Sequence, residues 1–226
     1  MERVQYYSLT DQVYDSIKKG ILQGKVSTQE KLDINLLASA LGVSRMPVVD
    51  ALTRLETEGL VERRNRVGTF VRTISQSSFT ELFAARGMIE DWATPHIIER
   101  ATHSDLATLN SLLLEAKQKL LESEAGKFNF SDFNEHYDMG FHFGLVRLAG
   151  NDYISESYAQ INSRIRIGRL FVPTPAMRSA MAQTSHEQIL HHFQQRDLAA
   201  ALAAQQKHRA DSLNTTLSVM KERGIG

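Results

Sequence analysis

The 226-residue sequence contains no cysteine, which excludes disulfides, thiol nucleophiles and thiolate metal sites and leaves histidines and carboxylates as metal ligands. It lacks any apolar run near the roughly 18 residues that span a bilayer. Its first twenty residues, with Glu2, Asp11 and Asp15, also lack the hydrophobic stretch of a signal peptide. A soluble cytoplasmic protein with no membrane partner is the expectation. Proline (4) and glycine (13) are few and scattered, so collagen-like and low-complexity classes are excluded. No charge of one sign dominates: 26 Lys and Arg face 26 Asp and Glu, so any nucleic-acid contact must be local rather than a matter of bulk charge. What remains is ordinary globular usage, 42% hydrophobic and 23% charged, in a length that suits two modest domains.

The pattern changes style near Thr73. Before it, Val13, Ile17 and Ile21 form one helical stripe over about 10–23, with Gly24 placed to end it. Asp33 is placed to cap a short helix reaching Leu41, with Leu36, Leu37 and Leu41 facing inward and Gly42 as the turn residue. Ser44 can cap a third helix whose Val48, Ala51, Leu52 and Leu55 fall on the inner face. Pro47 is tolerable in its first turn, and Gly59 stops it. Residues 60–64 and 69–72 flank the turn Asn65-Arg66-Val67-Gly68 and predict a β-hairpin.

Helix, helix, tight turn, helix and hairpin is the layout of a winged helix-turn-helix, in which the third helix enters the DNA major groove. The outward face of that helix carries Arg45, Met46, Val49, Asp50 and Thr53, and the hairpin adds Arg63, Arg64, Arg66 and Arg72. Beyond a polar hinge at 74–78, six helices are expected at about 78–101, 104–123, 131–149, 152–171, 179–195 and 197–222. The fold class is therefore mostly α: a reading domain over 1–73 and an all-α bundle over 79–226.

The run Leu36-Leu37-Ala38-Ser39-Ala40-Leu41-Gly42-Val43-Ser44-Arg45-Met46-Pro47-Val48-Val49-Asp50-Ala51-Leu52, continued through Glu58-Gly59-Leu60-Val61 and closed by Gly68, resembles the GntR family of bacterial transcription regulators. The resemblance implies a DNA-contacting set of Asn35, Ser44, Arg45, Met46, Pro47, Val49, Arg66, Gly68 and Thr69. Two positions depart from the family pattern. Val49 stands where an Arg usually follows Pro-Val, which replaces a guanine or phosphate ligand by an apolar group able to touch a thymine methyl. Ser27-Thr28-Gln29-Glu30 stands where Pro-Gly is common.

All eight histidines lie in the helical half. Asp138 and His142 are one turn apart on one helix face and can chelate together. His186 lines up with the apolar Ile189 and Phe193, and His208 continues a stripe of Ala201 and Ala204, so both rings point inward. His96, His103, His136, His191 and His192 read as surface residues. By spacing alone, a metal site and an ordinary polar core are equally good accounts. The segments around Asp138, His142, His186, Asp197, Ala200 and His208 are similar to the ligand-binding FCD domain of the FadR-type branch, nearest its six-helix, VanR-like variant. That resemblance implies a divalent metal (Zn, Ni or Mn) on Asp138, His142, His186 and His208, at the floor of a cavity that takes small carboxylates. Arg86, in Leu82-Phe83-Ala84-Ala85-Arg86, resembles the branch's cavity-facing Arg. It can meet an effector carboxylate or pair with Glu90 at i+4. At least one of Arg164, Arg166 and Arg169 is expected to point inward beside Ile161, Ile165 and Leu170. Spacing does not choose among them, and Arg164 is carried with Arg86 as the effector pair.

The expected function is a homodimeric regulator whose affinity for a palindromic DNA operator is modulated by a small organic acid at the metal site. The alternative is a metal-dependent hydrolase or lyase with an accessory winged helix, which needs a general base beside the metal. Glu135 is the nearest acid in sequence. An interaction module without ligand is a third reading.

Overall fold

The computed structural model describes residues 8–22, 25, 31–72, 74–123, 133–170, 176–222 and 224. Contacts divide the chain into two compact units, 1–73 and 74–226. Among the described residues no single helix is long and apolar enough to cross a membrane.

The first unit holds α1 (Leu9–Leu22), α2 (Ile34–Leu41), α3 (Arg45–Thr57) and an antiparallel hairpin of β1 (Val61–Arg64) and β2 (Gly68–Val71). Its core is Val13, Ile17 and Ile21 of α1 against Val48, Ala51, Leu52 and Leu55 of α3, all buried. Asp33 caps α2, accepting the backbone N–H groups of Asn35 and Leu36 at 2.7 and 3.1 Å. Those N–H groups, Leu36 before Asn35 in weight, hold the Asp33 carboxyl below the usual carboxylate range. The cap therefore contributes at neutral pH and is lost as the pH falls through that lowered value. Gly42 ends α2 in the left-handed conformation (φ 65°), and the Val43 N–H returns to the Ala38 carbonyl.

Three expectations need correction here. Leu36 is 72% exposed, because at 3.6 residues per turn it stands roughly 140° from Leu41 and cannot share its face. Ser44 occupies the N-cap position of α3, but its hydroxyl makes no capping hydrogen bond. The polar hinge is shorter than 74–78: Ile74 is buried, Ser75 caps the next helix by accepting the Ser78 N–H, and helix begins at Gln76. Gly24 and the Ser27–Glu30 loop lie outside the described residues.

The second unit contains, among the described residues, α4 (Gln76–Arg100), α5 (His103–Ser123), a π-helical turn (Asn134–Asp138) running into α6 (Met139–Arg147), α7 (Asp152–Leu170), α8 (Ala176–Gln194) and α9 (Leu198–Glu222). Helix α4 packs on α6, α7 and α9, and α5 packs on α8. Leu109, Leu113, Phe141, Leu145, Ile189 and Phe193 lead the apolar core. Small residues set the spacing where polar side chains cross: a Cβ on Gly87 would meet the Arg209 Nε at 3.2 Å, so α4 leaves the room through which Arg209 of α9 passes.

Candidate functional site

Asp138, His142, His186 and His208 come together in the second unit, all four buried, with one ligand atom from each lying within 4.8 Å of the others. The π-helical turn delivers Asp138, α6 delivers His142, and α8 and α9 deliver His186 and His208. The three Nε2 atoms form a triangle: 3.1 Å between His142 and His208, 3.1 Å between His142 and His186, and 3.3 Å between His186 and His208. The Asp138 Oδ1 lies 3.4 Å from the His186 Nε2.

No choice of tautomers satisfies such a triangle. A neutral imidazole nitrogen is either a donor or an acceptor, so among three mutually facing nitrogens at least two carry the same role and oppose each other. A cation at the centre removes the conflict, since all three then present lone pairs to it. The distances agree: nitrogens bound at about 2.0–2.1 Å to one ion, at angles of about 90–109°, stand roughly 2.9–3.4 Å apart. The donor set therefore fits a divalent ion.

Electrostatics keep the ligands in the state a metal needs. Burial drives His142 and His208 well below the usual histidine value, with Arg86 and His186 respectively as the next causes. Burial likewise brings His186 down to about 4 against the pull of Asp138. Burial raises Asp138, but Arg169 and then His186 and Arg86 outweigh it and bring it to about 2. Three neutral imidazoles and one carboxylate result.

A second ring of polar groups surrounds the four. Arg169 donates to the Asp138 Oδ2 at 2.9 Å and to the Ser212 Oγ at 2.6 Å, leaving Oδ1 toward the histidines. Glu90 is the hub of the other side. Its carboxylate accepts from the Arg86 Nε at 2.8 Å, from the Tyr158 hydroxyl and from the Arg209 Nη1 at 3.0 Å, while Arg209 Nη2 reaches Asp91 at 2.6 Å. Its Oε1 also stands 3.5 Å from the His142 Nδ1, which favours the proton on Nδ1 and frees Nε2 as a ligand. Burial raises Glu90, yet Arg86 and Arg209 lower it by more, so it stays ionised. Arg86 is 1% exposed, and its Nη2 has no hydrogen-bond partner among the described residues.

The i+4 pairing of Arg86 with Glu90 is thus formed, with one guanidinium nitrogen left over. Of the three α7 arginines, Arg166 and Arg169 are buried and Arg164 is half-buried. Arg169 reaches the metal-ligand residue Asp138, while Arg164 was the arginine carried with Arg86 from the sequence. Arg169 was one of three arginines among which spacing did not choose, and Arg209 and Tyr158 were missed, because nothing in sequence spacing links them to a residue dozens of positions away. His103, His136 and His191 are exposed, His192 is half-buried, and His96 is half-buried against Trp92. The Glu135 side chain lies outside the described residues.

In the first unit, Asn35, Ser44, Arg45 and Arg66 are exposed and Met46 is 65% exposed, while Pro47 and Val49 are half-buried. Arg45 and Arg66 make no ion pair among the described residues, whereas Arg63 and Arg64 pair with Glu56 and Glu62. Arg66 takes a left-handed conformation (φ 61°) at the tip of the hairpin, and Gly68 follows at φ 146°. Thr69 is 7% exposed and its carbonyl accepts the Leu32 N–H.

Comparison with known proteins gives two adjoining matches in the order of the two units: the bacterial regulatory proteins of the gntR family over residues 9–71 and the FCD domain over 81–211. The Nta operon transcriptional regulator of Aminobacter aminovorans is 32% identical over 162 residues, 72% of this chain and 71% of the relative. The uncharacterized HTH-type transcriptional regulator YdhC of Bacillus subtilis is 25% identical and covers 93% of both chains. Escherichia coli McbR/YncC shares the fold, with a TM-score of 0.79 at 20% identity over 94% of this chain and 99% of that one. The first two of these are transcriptional regulators by name, and the hydrolase or lyase reading of the Asp and His set is set aside. The reading unit, the helical unit behind it and the two family matches agree: the chain belongs to the GntR family of bacterial regulatory proteins with an FCD domain, and is a DNA-binding transcriptional regulator rather than an enzyme.

Proposed function

We propose that the chain is a cytoplasmic, homodimeric regulator that binds a palindromic operator through α3 and the hairpin. Its operator affinity is set by a small organic acid bound beside a Zn, Ni or Mn ion in the helical unit. The observation that carries the second half is the buried Asp138, His142, His186 and His208 cluster, with the unpartnered Nη2 of Arg86 in its surroundings. With no thiolate in the chain, a three-nitrogen, one-oxygen set suits those borderline ions. Such an ion, when bound, supplies Lewis-acid attraction for a carboxylate.

Charge supports an acidic ligand. Among the described residues the ion-paired groups around the cluster balance, with Arg86, Arg169 and Arg209 against Glu90, Asp91 and Asp138; Arg166 is a further buried cation on α7, and the imidazoles are neutral. A divalent cation therefore brings two charges that no group of this set offsets, and an organic anion does so at low cost. Arg86, fixed through its Nε by Glu90, keeps a guanidinium nitrogen for that anion. Operator affinity then responds only if the ligand is better held in one state of the dimer than in the other. A coupling of about 1–3 kcal/mol, or roughly 5–150-fold, is expected. Titration of operator affinity across hydroxy acids, dicarboxylates and sugar acids checks this, with Arg86→Lys as the variant that loses the response. Equal responses in wild type and variant place the ligand elsewhere.

For DNA, the exposed and unpaired Arg45 at the start of α3 is expected to contribute about 1–3 kcal/mol, and loss of Arg66 should lower the salt slope of binding by about 1. Fluorescence anisotropy on Arg45→Ala and Arg66→Ala, with folding confirmed by circular dichroism, measures both, and unchanged binding would remove α3 from the reading role. One winged helix spans a few base pairs, so two heads about one helical turn apart are expected on a palindrome. Light scattering at micromolar concentration should give a dimer. A monomer with and without DNA contradicts it.

A further inference from the structure

The outward side of α3 is poor in hydrogen-bond donors. Met46, Val49 and Thr53 stand at i, i+3 and i+7, which is one stripe of a helix. Met46 is 65% exposed and Val49 half-buried. Thr53 spends its hydroxyl proton on the Val49 carbonyl at 2.9 Å, and its own Oγ1 accepts from the Arg63 Nη2 at 3.4 Å. The stripe thus offers apolar groups between Arg45 at the helix start and Arg63 on the hairpin.

Beside it lies a groove of about 440 Å³ between α3 and the hairpin, lined by Val49 and Leu52 on one side and by Lys31, Arg63, Arg64 and Arg66 among others. Among the described residues no acid lines it, so its charge complements a sugar-phosphate backbone. A backbone held against the Lys31, Arg63, Arg64 and Arg66 side of that groove leaves Met46 and Thr53, with Val49 on the opposite side of the groove, to meet base edges. Guanine is read by paired donors such as those of Arg or Lys, and adenine by an amide. The stripe holds neither. The base feature in the major groove that an apolar group recognises is the C5-methyl of thymine.

We propose that Met46 and Val49 are specificity-determining residues that read thymine methyl groups in each operator half-site. This rests on α3 being the reading helix, as set out above. Full-length protein is first used to select binding sites from a random duplex pool. Each thymine of the enriched half-site is then replaced by deoxyuridine, which removes the methyl and keeps the base pairing. Affinity should fall about fourfold per contacted methyl, and roughly fifteenfold when both half-sites are changed. Val49→Ala and Met46→Ala should each bind the thymine and uracil forms of a contacted position more nearly alike. Val49→Thr, which keeps a methyl at the contact, should retain the discrimination.

Equal binding of thymine and uracil operators at every enriched position overturns the inference, as does discrimination that survives in both alanine variants. Met46, being exposed, keeps the second arm informative should Val49→Ala fold poorly. If no sequence is enriched and Arg45→Ala binds the pool as wild type does, the reading helix is misassigned and the inference falls with it. Enrichment without methyl dependence removes the inference alone.

Discussion

Glu90→Leu is expected to destabilise the helical unit by about 3–5 kcal/mol, the range for breaking a buried ion pair by removing one partner. Glu90 is 3% exposed and is the shared acceptor of Arg86, Arg209 and Tyr158. Arginine cannot shed its proton to escape, so Arg86 would be left as a buried unpaired cation. Arg209 would keep only Asp91. The measurement is convenient because Trp92, the one tryptophan, sits two residues along the same helix. Its fluorescence during urea unfolding therefore reports on α4 and not on the first unit. Glu99→Gln, on the exposed side of α4, should shift stability by no more than about 0.5 kcal/mol and serves as the control. A Glu90 variant as stable as that control would mean that the arginines relax to water and that the hub does not hold the bundle.

Removal of metal should have the next largest effect. Protein purified without chelator is expected to carry one divalent ion per chain. His186→Ala or His208→Ala should weaken uptake by more than the roughly 10–100-fold typical of losing an outer-shell partner. Because the ion binds the folded state, a hundredfold excess over Kd stabilises by about 2.7 kcal/mol. For a unit of this size that corresponds to roughly 5–11 °C in Tm, lost on chelation and regained on adding metal back. Elemental analysis, calorimetry and thermal melts give three separate readings. Protein with no metal as purified and no uptake in calorimetry would reduce the three imidazoles to a polar core, and the effector reading would lose its anchor.

The parts of this chain legible in its sequence are those written in short-range pattern. The stripe Val13, Ile17 and Ile21, the cap at Asp33 and the turn at Gly42 are each set within a few residues, and each is found in place. Asp138 with His142, and the inward phases of His186 and His208, could be read from helical spacing and then joined by family likeness. Spacing alone could not show that three nitrogens meet at 3.1–3.3 Å. An error arose where position on a face was judged without its neighbours: Leu36 is hydrophobic but turned to solvent. The outer ring was illegible for a different reason. Arg169 meets Ser212 across 43 positions and Arg209 meets Glu90 across 119, and at such separations only the packing of α4, α7 and α9 selects the partner.

The π-helical turn at Asn134–Asp138 bears on how such a site is inherited. Residues five apart come into line in a π turn, whereas on an ordinary α-helix they diverge by roughly 140°. Phe133 and Asp138 are five apart, and both are buried. Straightening this turn into a regular helix at unchanged length would set the two roughly 140° apart and force a choice between burying the aromatic ring and presenting the carboxylate, whereas losing one codon would leave them four apart, about 40° from each other, on one face. The turn is therefore a place where the gene can shorten by one residue and still bury the ring and present the carboxylate on the same face, so length and residue identity can drift separately here.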